Sequence, residues 1–272
     1  MTTPTPAPQP AQRNTTWITV TTAIIGGLAL VGVGGTAAIA ASSDMSRSSS
    51  VQHLDVAGVD SIDMQASASN VRVLFGDVEE AELSVEGGRG GAWTFRRDGD
   101  ELVVRSPDTV FGWWWGGWFQ DDRKVVLTLP QELEGLDGSF ELSAGGLDVS
   151  GTYGELDVEV SAGDLTVDGT AASLDANLSA GSATLALDDV DSADLSVSAG
   201  ELNVELRGTA PRETSIDVSA GSADVSLPSG GYAVTQDVSA GTLDNRLENS
   251  AASRNSIDVT LSAGTVTLRP GR

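Results

Sequence analysis

Thirty-nine aspartates and glutamates face fifteen lysines and arginines, one histidine and no cysteine, for a formal net charge of -24. Carboxylates in that excess could do two things. A pair in a cleft, with pKa values pushed apart, could cleave glycosidic bonds as acid and base. Several in a row, one strand spacing apart, could share a weakly held calcium ion. If repeat spacing sets the rows, Asp224 falls beside Asp244, Asp217 beside Asp237 and Glu141 beside Glu159. The acids recur with the regularity of surface positions, however, and the chain has no G-x-S-x-G, H-E-x-x-H, P-loop or dinucleotide motif. The expectation is a solvated acidic face with no catalysis, no metal and no cofactor. The charge also argues against nucleic acid as a partner, since phosphate binding needs clustered Lys and Arg. His53, in the polar stretch SSDMSRSSSVQHLD, reads as a solvated side chain.

The second group able to do chemistry is aromatic. FGWWWGGWF, residues 111–119, holds Trp113, Trp114, Trp115, Trp118 and Phe119, and so four of the six tryptophans. So many rings in one glycine-bearing loop cannot all point inward. They could sink into a membrane interface, dock a protein partner, stack on a sugar, or fold as a cap over the end of a repeat array. The sequence leaves these open.

Both groups hang on a repeated scaffold. SAGDLTV, SAGSATL, SAGELNV, SAGSADV and SAGTVTL begin at Ser161, Ser179, Ser198, Ser219 and Ser262, with looser copies at Ser143 and Ser239. A reactive site is needed once, whereas a motif written this often serves something that is itself repeated. Around the first full copy Leu156, Val158, Val160 and Ala162 alternate with polar residues, and the set then skips to Leu165 and Val167. Period two marks a half-buried strand, and the skip marks a bend. The skip recurs at all seven copies, and also from Ala68 to Val71 with Ser69 in the glycine place. At each corner Ala is expected to fill a small inward place and Ser to point outward. Gly145, Gly163, Gly181, Gly200, Gly221, Gly241 and Gly264 are expected to take the backbone turn that a residue with a Cβ resists.

From Ala144 onward the corners lie 18, 18, 19, 21, 20 and 23 residues apart. Units of that length cannot bury their faces alone, so they stack on a common core. The prediction is an all-β, parallel β-solenoid ectodomain over residues 56–272, with regular SAG repeats over 140–272 and an antiparallel insertion over 77–139. Within the insertion AELSVEG, AWTFRRDGDELVVRS and KVVLTLP read as strands and Asp98-Gly99 as a hairpin turn. The insertion is expected to pack on the N-terminal end of the solenoid and shield its edge.

Ahead of the ectodomain, residues 1–16 are rich in Pro and Thr and read as an unfolded tail. Residues 17–41 carry no charge. At about 1.5 Å per residue they are long enough to cross a hydrocarbon core of about 30 Å as a transmembrane helix and signal anchor. A cleaved signal peptide competes with that reading, since Ala38-Ile39-Ala40 fits an A-x-A site. Residues 42–55 read as a polar linker. Arg13 and the terminal amine ahead of the span put the N-terminus in the cytoplasm and the C-terminal domain outside the plasma membrane of a bacterium.

The SAG-x-[LV]-x-[LV] units, with DGDELVVRS and VVLTLP before them, resemble the bacterial β-strand-repeat family known as putative adhesins, a domain of unknown function, over roughly residues 55–272. The resemblance implies a right-handed β-solenoid, often tethered to a membrane, and supplies no catalytic residue. The functional expectation is a single-pass, non-enzymatic envelope protein, an adhesin-like binding or scaffold module with an envelope protein or a surface glycan as partner. A sensory or regulatory subunit of an envelope-stress system, and a self-assembling, bactofilin-like homo-oligomer, stand as alternatives.

Overall fold

A computed structural model describes residues 49–67, 69–87, 92–107 and 124–271. Among them every regular element is a strand except one 3-10 turn, Gln131–Leu133. The first strands are β1 (Ser49–Leu54), β2 (Ser61–Ala66), β3 (Ser69–Gly76), β4 (Ala81–Glu86), β5 (Thr94–Asp98), β6 (Glu101–Arg105) and β7 (Lys124–Pro130). Next come β8 (Asp137–Leu142), β9 (Gly145–Val160), β10 (Asp164–Leu178), β11 (Ser182–Asp188), β12 (Ser192–Val197) and β13 (Glu201–Arg207). The last are β14 (Glu213–Val218), β15 (Gly221–Leu227), β16 (Gly231–Val238), β17 (Thr242–Asn245), β18 (Glu248–Asn249), β19 (Ser256–Leu261) and β20 (Gly264–Pro270).

These strands build two walls. Each SAG corner joins a front-wall strand to a back-wall strand, and like strands of successive rungs pair in parallel. Period-two alternation then turns one face of every strand inward. Phe140, Val158, Ala176, Leu195, Ile216 and Val259 stack as one buried column of the front wall. Val73, Val149, Val167, Leu185, Val204 and Val225 do the same in the back wall. A slip of one residue in any strand would carry its whole apolar set to solvent, so the columns fix the register. Each such Val, Leu, Ile or Phe side chain stabilises the fold by about 1.5–3 kcal/mol relative to exposure.

The corners work as expected of their glycines and differently for their alanines. All seven SAG glycines have positive φ, from 102° at Gly181 to 147° at Gly221. A Cβ added to Gly163 would lie 2.9 Å from the Gly145 nitrogen and closer still to its carbonyl oxygen. The wall ladder continues around the bend, with the Ser161 N–H donating to Leu142 O at 2.9 Å and the Ser179 N–H to Val160 O at 2.8 Å. Ala162, Ala180, Ala199 and Ala220 are exposed, so the corner alanine does not fill an inward place. The chain turns within three residues, which leaves both Ser and Ala outside while Val160 and Leu165 close the core behind them. Small side chains are needed there because corner stacks on corner. Ser69, in the glycine place of an earlier corner, is buried and lies in register with Gly145.

The N-terminal part departs from the expectation in two ways. Residues 49–54, within the expected linker, form β1, antiparallel to β4. Its pattern was hard to read because an edge strand is exposed: Val51 keeps 48% of its surface. The insertion does hold antiparallel pairs, β5 with β6 through Asp98-Gly99 and β4 with β7. Yet β6 runs parallel to β2, and β7 parallel to β3. The insertion is therefore itself the terminal rung, with β5 on its front edge and β4 and β1 on its back edge.

Rung order in space differs from chain order at both ends. β2 lies between β6 and β8, so the first rung in sequence is internal. At the other end β19 lies between β14 and β16, and β20 between β15 and β17. The last rung in sequence is thus clamped inside, and the rung β16–β17 forms the C-terminal end. Residues 1–41, expected to hold the tail and the span, and Trp113, Trp114, Trp115, Trp118 and Phe119 lie outside the described residues. Among the described residues no helix is long and apolar enough to cross a membrane.

Candidate functional site

The outward side chains of the two walls differ in charge balance. On the back wall, carboxylates have basic partners. Arg72 reaches Asp148 at 2.9 Å, Arg269 Asp224 at 2.6 Å, and Arg207 both Asp188 at 3.2 Å and Asp168 at 3.7 Å. These pairs are exposed and contribute little each, but they cancel charge. On the front wall the bases stand at the N-terminal end, Arg105 at 3.0 Å from Asp63 and Arg96 and Arg97 on the edge strand β5, and from β8 to β16 the outward residues of the described strands include none.

Down that wall the acids stack. Asp175 lies in register with Asp157 on one side and Asp194 on the other. All three carboxyls are pushed above the usual range, first by thinned hydration on the crowded wall and then by a neighbouring carboxylate. Asn177 relieves one of them by donating to Asp175 Oδ1 at 2.8 Å. Glu141 stands beside Glu159 as spacing predicts, and burial and that neighbour push its carboxyl up.

The other two expected acid rows do not form. Thr267 lies between Asp224 and Asp244, and Thr260 between Asp217 and Asp237, because the last rung inserts between theirs. The Asp157, Asp175 and Asp194 row was within reach of the sequence, since each acid stands five residues before its corner alanine. Among the described residues no three acidic or imidazole side chains converge on a point a metal ion could occupy. His53 is exposed on β1.

The acid row has a stability consequence. A raised folded-state pKa means the folded chain holds protons that the unfolded chain has released, so stability rises as pH falls from neutrality through the raised values toward the ordinary carboxyl value. Asp175→Asn is expected to raise the midpoint of thermal unfolding at pH 7 by about 1–3 °C and to flatten that pH dependence. Melting curves between pH 4 and 7 check it, and a lower midpoint for the variant would contradict the repulsion described here.

At the N-terminal end a polar hollow of about 450 Å³ is lined by Gln65, Ser67, Thr94, Arg105 and Ser106. The residues flanking the Trp-rich segment, Pro107 and Lys124, belong to the same terminal rung, and β1 enters at that end through β4.

Stacked parallel rungs, glycine corners and broad walls in place of a cleft define a β-solenoid repeat domain. The chain belongs to the Toastrack DUF4097 family, whose profile matches residues 59–269. No curated protein matches it. Among solved structures it is similar to a "putative cell adhesion protein" from Clostridium sporogenes, at 11% identity and a TM-score of 0.37 over 83% of this chain and 100% of the other. A "putative adhesin" from Parabacteroides distasonis gives 11% identity and a TM-score of 0.40 over 84% and 98%. A "putative lipid binding protein" from the same species gives 15% and 0.35 over 84% and 98%. Likenesses this weak bear on neither ligand nor activity.

Proposed function

We propose that this chain is a non-enzymatic, membrane-anchored envelope protein whose solenoid works by binding, as an adhesin-like or scaffold module. The observation that carries the reading is topological. Ser49 in β1, to which the uncharged stretch 17–41 connects, and Arg105 in β6 and Lys124 in β7, the strand ends between which the Trp-rich segment lies, all belong to strands at one end of the solenoid. An anchor and an aromatic belt at one end hold that end at a bilayer and leave the walls free for a partner. The acidic front wall is repelled by anionic lipid headgroups, so the solenoid stands away from the leaflet. An envelope protein or a surface glycan is the partner class, and the polar hollow beside Arg105 suits the second. A regulatory role in envelope stress would use the same geometry. An open-ended polymer is disfavoured by the antiparallel strands β1, β4 and β5 at the N-terminal end, with Arg96 and Arg97 on the edge strand.

The test is a tag fused after Arg272 and protease added to intact cells. Loss of the tag with a membrane-retained stub is expected, and a tag cut only after lysis would reverse the topology. In the same cells, changing Trp113, Trp114, Trp115 and Trp118 together to serine is expected to leave the fold intact and weaken association with the membrane or partner. Loss of folding would assign those rings to a cap.

A further inference from the structure

The two ends of the solenoid are not alike. The N-terminal end stops in antiparallel strands. The C-terminal end stops in the parallel rung β16–β17, and within the described residues neither strand has a partner on its far side apart from the two-residue pairing of β16 with β18. The Ala233 and Ser239 N–H groups point at β19 and the Arg246 N–H at β20. Alternation along a parallel ladder then turns the N–H and C=O of Val234, Gln236 and Val238, and of Leu243 and Asn245, to the open side. Val238 keeps 38% of its surface, and Val234 and Leu243 are only partly covered.

This edge has a chemistry that selects its partner. The inward columns end here in two amides, Gln236 after Val259 and Asn245 after Leu268. An amide is donor and acceptor at once, so each can pair with its own copy. On the outer face Asp244 and Arg246 flank Asn245, and within one chain they bond to each other at 2.5 Å. Antiparallel pairing about Asn245 sets Asp244 of one chain opposite Arg246 of a second. The triplet Asp-Asn-Arg is thus self-complementary in charge about a two-fold axis.

We propose that the β16–β17 edge is a self-association surface on which a second copy of this chain docks about a two-fold axis, strand antiparallel to strand, continuing both walls. The interface is isologous and closes at two copies, because the capped N-terminal ends then face outward. It holds whatever ligand the walls bind.

The test uses the full chain in detergent, with its mass read by light scattering. Wild type is expected to be a dimer. Asp244→Arg and Arg246→Asp, each alone, set like charges across the axis and are expected to raise the dissociation constant at least about tenfold. The double exchange is expected to restore the dimer, which a merely unfolded variant would not do. The chain has no cysteine, so Gln236→Cys supplies a unique thiol at the axis, opposite its own copy. Mild oxidation is expected to link it to its own copy, whereas Arg96→Cys at the far end stays unlinked. A monomeric wild type, single variants that stay dimeric, or a crosslink joining residue 236 to residue 96 in a head-to-tail array when both carry cysteine would each overturn the proposal.

Discussion

Replacing Gly163 with valine is expected to cost about 3–5 kcal/mol of folding free energy, from a strained backbone and an overfilled contact together. The residue sits at φ 116° with the Gly145 backbone directly beneath it. Both the conformation and the space therefore reject a side chain. Because Gly181 stacks on Gly163 in turn, a local shift cannot dissipate without moving the next corner. Urea unfolding of the full chain checks this through the transition midpoint. The same change at Gly99, a hairpin turn with nothing within 4 Å of its Cβ position, separates the two causes. There φ is also positive, at 69°, so only the conformational part of the cost remains. Equal losses at the two sites would show that stacking contributes nothing.

Ending the chain after Asn255 is expected to melt two rungs, although it removes the strands of only one. Within the described strands β17 pairs with β20 alone, and β16 pairs with β19 and, over two residues, with β18. Without β19 and β20 the segment 231–249 would have to find the edge of β14 and β15, whose partners in the native register are Ile257, Val259 and Leu261 on one wall and Val266 and Leu268 on the other. In their places it would offer Val234, Gln236 and Val238, and Leu243 and Asn245. Two amides would then lie against Ile216 and Val225, where a buried polar group lacks a partner. Hydrogen exchange is expected to show protection lost across 231–249 and kept through β11. Protection retained at 231–249 would mean the rungs can stack in chain order.

Much of this architecture could be read from particular residues. Gly163 and its six equivalents announced the corners because backbone crowding at each bend leaves only glycine. The alternation of Leu156, Val158 and Val160 announced a wall because its apolar phase is strict. Rung order could not be read in the same way. Every rung offers apolar side chains to its neighbours, so Val218 fits Leu261 as well as Val238. The signal that existed was polar: Gln236 and Asn245 occupy inward positions, and the following corner comes 23 residues later, the longest spacing in the array. Asp157, Asp175 and Asp194 were equally accessible, since they keep a constant distance from their corners. β1 gave no such signal, because a strand at an edge, paired on one side, keeps the polar composition of a connecting segment.

The inverted rung order also decides how the molecule bears load. A protein held at one end and pulled at the other transmits tension through its terminal strands, and a terminal strand lying at an edge can peel away one hydrogen bond at a time. Tension on Arg269 and Pro270 instead reaches β20, held by β15 and β17 on its two sides. At the other terminus β1 can detach, but the pull then meets β2, locked between β6 and β8. Rupture there requires two ladders to shear together, so the solenoid resists traction on its terminal strands better than a stack wound in simple chain order.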